Sequence, residues 1–257
     1  MKYIMFAQQR QQIISEILKE KSSIKVNEIS LMLNVSESTI RRDLQEMEEK
    51  NLLTRTHGGA VGLDNKTNYE PSFQDKKDER IDQKKKIAET ASEFIQDGDT
   101  IIMDSGTTTL ELAKRIKAKN LTIITNSIDI ASELSSNKDI EIIVTGGSLR
   151  VNTRAMVGNM AEAVLRNFRV DKVFLGANGI SIEEGITTPN YAEAQTKKIM
   201  MNHAKKVIVM ADSSKFENVS FSVICPVKAV SMIITSDDID KRIIEEYEEV
   251  GVEIITT

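Results

Sequence analysis

The 257-residue sequence holds a single cysteine, Cys225, and two histidines, His57 and His203. One thiol excludes a disulfide framework within the chain, and one thiol with two imidazoles cannot assemble a Cys/His ligand cluster, so neither a metal nor a cofactor is expected. The scarcity of cysteine fits a reducing compartment. Long apolar runs are missing as well. Met1–Ala7 is too short for a signal-peptide core, and no later stretch approaches the roughly 18 uninterrupted apolar residues of a membrane span, so a cytoplasmic chain with no membrane partner is expected. Excess positive charge is also absent: the net charge is −5, and residues 1–62 carry 9 Lys+Arg against 8 Asp+Glu. A nucleic-acid site must therefore be argued from motif and placement rather than from bulk charge. What is abundant is hydrophobic residue, 40% of the chain, enough for a packed core.

Three zones follow one another. Residues 7–62 have helical periodicity and end at glycines, reading as a small helical domain. Residues 63–86, rich in charge and poor in apolar anchors, read as a linker whose second half starts a connecting helix. Its lysine run reads as a solvated helix face. Phe73, Ile87, Ala88, Ala91, Phe94 and Ile95 carry the helical spacing, and Gly98 supplies a left-handed stop. From 87 to 257, β-branched runs alternate with amphipathic segments, the signature of βα units around a mostly parallel sheet. The runs are 100–103, 121–124, 140–144, 173–175, 207–210, 232–235 and 252–255. Helices are expected at 110–116, 128–134, 161–165, 192–203 and 237–250.

In the first zone a helix over about 9–19 precedes a short one that Asn27 is placed to cap. A tight turn at Asn34–Ser36 then leads to a third helix, capped by Ser36 with Glu37 near its positive end. On that helix Ile40, Leu44 and Met47 fall on one side and Ser38, Arg41, Arg42 and Gln45 on the other, with Thr39 beside Ser38. An apolar face to dock and a hydrogen-bonding face to present are what a DNA-recognition helix needs, since arginine can bond guanine O6/N7 and Ser or Gln can read adenine or contact phosphate. The bland alternative is that Arg41 and Arg42 only pair with Asp43, Glu46 or Glu48. After Asn51, an expected C-cap, residues 52–61 read as two extended stretches around glycines, a β-hairpin wing that puts Arg55 and His57 near backbone phosphate or the minor groove.

In the last zone the first strand runs into Asp104, Ser105, Gly106, Thr107 and Thr108 ahead of a helix. Such a strand, hydroxyl-rich turn and helix N-terminus offer amides, hydroxyls and a positive dipole end to an anion, and suit a phosphate monoester. The same residues also make an ordinary capped turn. No lysine follows as in a Walker loop, so a nucleoside triphosphate is not indicated. Asn126, Gly146, Gly147 and Gly176–Gly179 follow other strand ends, where parallel sheets keep their ligand crevice. Glu193 and Lys197 stand one helical turn apart and read either as pocket residues or as a surface ion pair. Asp212 and Lys215 close another strand, the lysine suited to phosphate charge and the aspartate to sugar hydroxyls.

Val35–Leu44 together with Leu53–Ala60 closely resembles the head of the DeoR-type family of bacterial sugar-metabolism repressors. Asp104–Thr108, Thr125–Ser127, Gly146–Gly147, Gly185–Thr188 with Glu193, and Asp212–Phe216 resemble recurrent segments of its effector domain. One departure is Ser236, which separates Thr235 from Asp237 where the family commonly runs threonine straight into aspartate. The resemblance implies a winged helix-turn-helix joined to a Rossmann-like α/β domain related to ribose-5-phosphate isomerase. It also implies a repressor that grips double-stranded operator DNA, is released by a phosphorylated sugar, and works as a homodimer or homotetramer. Two other functions use the same residues: an activator with the same pocket, and a sugar-phosphate isomerase with Glu193, Asp104 or Asp212 as base and Lys215 steadying an enediolate.

Overall fold

The computed structural model describes residues 5–21, 23–50, 52–56, 58–62 and 70–257. Asn51 and His57, expected as a C-cap and a wing contact, lie outside the described residues, as does the first part of the expected linker, 63–69. The chain divides into two compact units, residues 1–69 and 70–257.

The first unit runs α1 (Ala7–Lys21), β1 (Ser23–Lys25), α2 (Val26–Leu33), α3 (Glu37–Glu49), β2 (Leu53–Thr56) and β3 (Gly59–Gly62). Ile14, Leu18, Ile29, Ile40, Leu44, Met47 and Leu53 meet in one core, each large aliphatic contributing on the order of 1.5–3 kcal/mol by leaving water. Asn34 takes the left-handed conformation at φ 53° and ends α2, a geometry asparagine tolerates better than most residues. Asn27 does not cap α2. The capping position is Lys25, because Val26 N–H donates to the Gly58 carbonyl at 2.7 Å and the helix springs directly from a strand. That strand, β1, completes a three-stranded antiparallel wing in the order β1-β3-β2. Gly59 sits where a Cβ would lie 1.7 Å from the Ile24 carbonyl oxygen, so only glycine lets β3 close on β1.

The second unit opens with α4 (Phe73–Asp78) and α5 (Ile81–Ser92), so the charged segment from residue 73 onward is folded structure within this unit. Phe73, Ile87, Ala88 and Ala91 anchor it. The helix stops at Ser92. Gly98, at φ 83°, serves the next turn, donating its N–H to Lys119 O at 2.9 Å. Then come β4 (Thr100–Met103), α6 (Thr107–Ala113), β5 (Leu121–Thr125), α7 (Ile128–Leu134), β6 (Ile140–Val144), β7 (Ser148–Arg150), β8 (Ala155–Val157), α8 (Asn159–Leu165) and β9 (Val170–Gly176). The chain ends through β10 (Gly179–Ser181), β11 (Gly185–Thr188), α9 (Tyr191–Asn202), β12 (Ala204–Met210), β13 (Ser222–Cys225), β14 (Met232–Thr235), α10 (Lys241–Glu249) and β15 (Glu253–Thr256).

Seven strands form one parallel sheet in the order β15-β14-β12-β9-β4-β5-β6. Successive residues of each strand enter opposite cores, as a two-residue period requires. Ile101, Met103, Ile123, Phe174, Ile208 and Ile234 meet α5, α6 and α7. On the other face Ile102, Ile124, Val173, Leu175, Val209 and Ile233 meet side chains of α8, α9, α10 and the small antiparallel sheet β10-β11-β13. Burial on both faces is why these strands read as unbroken apolar runs. Strand order reverses between β4 and β9, so the connections leaving their C-terminal ends part and leave the crevice of a doubly wound sheet. Among the described residues no helix is long and apolar enough to cross a membrane.

Candidate functional site

On α3 the sequence's two faces separate fully. Ile40, Leu44 and Met47 are buried while Ser36, Ser38, Arg41, Arg42 and Gln45 are exposed and Thr39 is half-buried. Ser36 caps the helix by accepting from Thr39 N–H at 3.2 Å, and its Oγ lies 2.7 Å from Ser38 Oγ and 2.8 Å from Thr39 Oγ1. The three hydroxyls thus form one cluster at the positive end of the helix. Arg41 and Arg42 pair one turn along the surface with Glu37 at 3.4 Å and Glu46 at 3.6 Å. Such exposed pairs are worth only tenths of a kcal/mol and give way to a stronger anion. Asp43 holds neither arginine. It is buried and takes two bonds from Arg10, at 2.6 and 2.9 Å, tying α3 to α1. Asp43 raises the already high Arg10 pKa by hydrogen bonding, against the opposing effect of burial. In the wing Arg55 is exposed and its backbone N–H donates to Glu48 at 2.7 Å.

The second unit's pocket opens at the reversal point of the sheet. Ser105, Gly106, Thr107 and Thr108 enter from the end of β4, and Glu193 and Lys197 from α9, while Asp212 and Lys215 follow β12. Leu110 is the first residue of α6 whose N–H reaches an i−4 carbonyl, that of Gly106 at 3.0 Å. The amides of Thr107, Thr108 and Thr109 are therefore those a helix leaves without an intrahelical partner.

Four expected pocket residues stand behind the lining. Asp104 is fully buried, bonded through Oδ2 to Lys197 and, at 3.2 Å, to Gly176 N–H; Lys197 also donates to Gly176 O at 2.8 Å. Burial pushes the Asp104 carboxyl up, against the pull of the Lys197 ammonium. Asn126 is buried and accepts from Ser105 N–H at 2.9 Å, so it holds the loop in position and does not line the cavity. Gly146 and Gly147 also lie outside the lining: with φ of 64° and 110° they turn the chain from β6 into β7, and a Cβ on Gly147 would sit 2.7 Å from Val157 O.

Glu193 and Lys197 are not partners. Each is buried and each is paired elsewhere, Lys197 with Asp104 and Glu193 with Arg150 and Thr153. The Asp212 carboxylate accepts from Ser214 and faces Arg80 at 3.8 Å and Lys215 at 4.0 Å. Sequence reasoning missed the residues that reach the same cavity from α4 and α5: Phe73, Lys76, Glu79 and Lys84. In sequence the lysine run reads as a solvated face. The signal that could have separated Lys76 and Lys84 from it was their spacing with Phe73 and Ile87. Burial, and next the charge of Lys215, pushes the Lys76 ammonium down to about 8; burial lowers Lys84 as well. Among the described residues no group of three or more His, Cys, Asp or Glu is arranged to hold a metal ion.

Comparison with known proteins matches both units. Residues 10–66 fit the family model described as a DeoR-like helix-turn-helix domain, and residues 79–237 that of a DeoR C-terminal sensor domain. An uncharacterized HTH-type transcriptional regulator of Bacillus subtilis, YulB, is 38% identical over 97% of this chain and 96% of its own. A putative aga operon transcriptional repressor of Escherichia coli O157:H7 is 36% identical over 97% and 93%. Among solved structures, ribose 5-phosphate isomerase A of Methanocaldococcus jannaschii is 18% identical over 53% of this chain and 54% of that one, with a TM-score of 0.39.

Proposed function

From the premise that the chain belongs to the DeoR family of transcriptional regulators, we propose that it represses a carbohydrate-utilisation operon and leaves its operator when a phosphorylated sugar occupies the second unit. The observation that carries the reading is the reversal-point pocket, where Ser105, Thr107, Thr108, Lys197 and Lys215 line one cavity with Glu193 and Asp212. Hydroxyls, helix-end amides and lysines suit a phosphate ester, and carboxylates beside them suit sugar hydroxyls. In the head, Ser38, Arg41, Arg42 and Gln45 are the residues that would read base edges, with Ser36, Thr39 and Arg55 on phosphates. Recognition of two half-sites calls for an even-numbered assembly, a dimer or tetramer.

Binding rather than turnover is favoured because Glu193 and Asp212 are already engaged, and Asp104, whose Oδ1 is without a partner, stands behind the cavity lining. Glu193 is held by Arg150 and Thr153, Asp104 through Oδ2 by Lys197, and Asp212 by Ser214 with Arg80 and Lys215 at 3.8 and 4.0 Å. A base for proton abstraction needs a carboxylate within hydrogen-bond reach of the substrate proton and not saturated by cations.

Footprinting of the upstream region of its own gene at moderate salt tests the reading. The wild type protects a defined operator, and Arg42→Ala loses about 1–3 kcal/mol of affinity for it while keeping the thermal shift produced by a bound sugar phosphate. Absence of any protected site, with or without sugar phosphates, overturns the proposal.

A further inference from the structure

The segment that opens the second unit has a use that a linker would not have. From Glu70 to Lys86 it lies across the reversal-point pocket, fixed at both ends. At its start Glu70 takes two bonds from Arg150, at 2.9 and 2.6 Å, and one from Asn152 at 3.1 Å, while Phe73 N–H donates to Asn152 O at 2.7 Å. Burial opposes ionisation of Glu70, but Arg150 and Asn152 hold its pKa below the ordinary value. Arg150 is shared, since it also donates to Glu193 in the pocket wall and to Thr153. At the far end Arg80, in the left-handed conformation at φ 49°, approaches Asp212 at 3.8 Å and Asp238 at 3.5 Å, Gln83 donates to Asp238 at 2.8 Å and Lys86 to Asp237 at 3.1 Å. A capping box between Ser72 and Asp75 starts α4 at a defined residue. These fixtures turn Phe73, Lys76, Glu79 and Lys84 onto the cavity.

We propose that this strap is part of the effector site, with Lys76 its anion-binding residue, so that the opening segment of the second unit is itself held by the bound phosphate. The inference rests on the reading of the pocket as a phosphosugar site. Lys76 forms no ion pair with any described residue, whereas Lys197 is committed to Asp104 and Lys84 donates to the Lys76 carbonyl. The groups around Lys76 are Lys215, Lys197 and Lys84 of like charge and Glu193, Glu70 and Glu79 of opposite charge. An ammonium held in partly dry surroundings with no carboxylate paired to it is stabilised by an incoming dianion more than one already neutralised by a carboxylate.

The test uses the full chain and three probes: inorganic phosphate, ribose 5-phosphate and fructose 6-phosphate, titrated calorimetrically into wild type, Lys76→Gln and Lys76→Arg. At least one probe binds the wild type saturably; Lys76→Gln weakens it by about tenfold or more, the loss of one charge-assisted bond, and Lys76→Arg restores most of it. At pH 8, in buffers of differing ionisation enthalpy, wild-type binding takes up about half a proton and Lys76→Gln takes up none, a readout that a merely structural lysine would not move. Saturable binding that is unchanged in Lys76→Gln overturns the strap inference and leaves the pocket reading intact. Failure of all three probes to bind the wild type overturns both.

Discussion

Lys197 and Asp104 show how little of a residue's role is set by its neighbours in sequence. Lys197 is one helical turn from Glu193, a spacing that ordinarily gives an exposed ion pair, yet α9 is buried over this stretch and the two side chains part. Lys197 spans to the end of β4 and stitches Asp104 to Gly176, the two strand ends between which the pocket opens. Breaking a buried pair from one side strands a charge and costs about 3–5 kcal/mol, whereas removing both partners costs much less. Lys197→Met should therefore lower the unfolding free energy of the second unit by that amount in urea denaturation. The double variant Asp104→Asn with Lys197→Met should recover a large part of it. Equal losses in the single and double variants would show that the pair contributes through packing alone. The pH dependence of effector binding also belongs to this scale. Burial pushes the Lys76 ammonium down to about 8, and a phosphate monoester is already dianionic above about pH 6. Bound dianion raises the lysine's pKa, so affinity is fully present well below pH 8 and falls as pH rises through 8 toward 9; a flat profile from pH 7 to 9 contradicts this.

At the scale of elements, α3 depends on its first turn. Ser36→Ala removes the bond to Thr39 N–H and should cost the head about 1 kcal/mol, read from the thermal transition of the first unit. It should also weaken DNA binding, since the same residue orders the hydroxyl cluster with Ser38 and Thr39. A fully stable variant with reduced DNA affinity would make Ser36 a contact residue and no cap. The longer helices and the seven parallel strands were legible because burial on two faces leaves long apolar runs and a stripe of 3.6-residue period leaves a mark in sequence. The short antiparallel strands were not. β1, β7, β8, β10, β11 and β13 have three or four residues each, too few for a period, and their partners are chosen by tertiary packing. α4 was hidden for a related reason: its six residues bury one large side chain, Phe73, among charged ones, so the segment reads as a linker until the pocket behind it is seen. Gly146 and Gly147 misled in the opposite direction, since backbone geometry and a phosphate cradle ask for the same residue.

At the scale of the molecule, charge totals concealed both sites. Residues 63–257 hold 25 Lys+Arg against 31 Asp+Glu, yet four lysines line one cavity; the head is nearly neutral, yet its acidic residue on α3 closest to the core, Asp43, is spent on Arg10 and leaves Arg41 and Arg42 on the exposed face. Placement decides local potential where net charge cannot. The account joins the two sites by a coupling free energy: the phosphosugar must prefer a state of the protein that binds operator less well. Thermodynamic reciprocity makes this testable without knowing the path of communication. The direct measurement is the affinity of ribose 5-phosphate or fructose 6-phosphate, whichever binds the free protein tighter, for free protein and for protein saturated with its operator fragment. The account predicts weaker binding to the DNA complex, by a factor of about 5–150 and equal to the factor by which the sugar phosphate lowers operator affinity. Equal affinity for the free and the DNA-bound protein would contradict it.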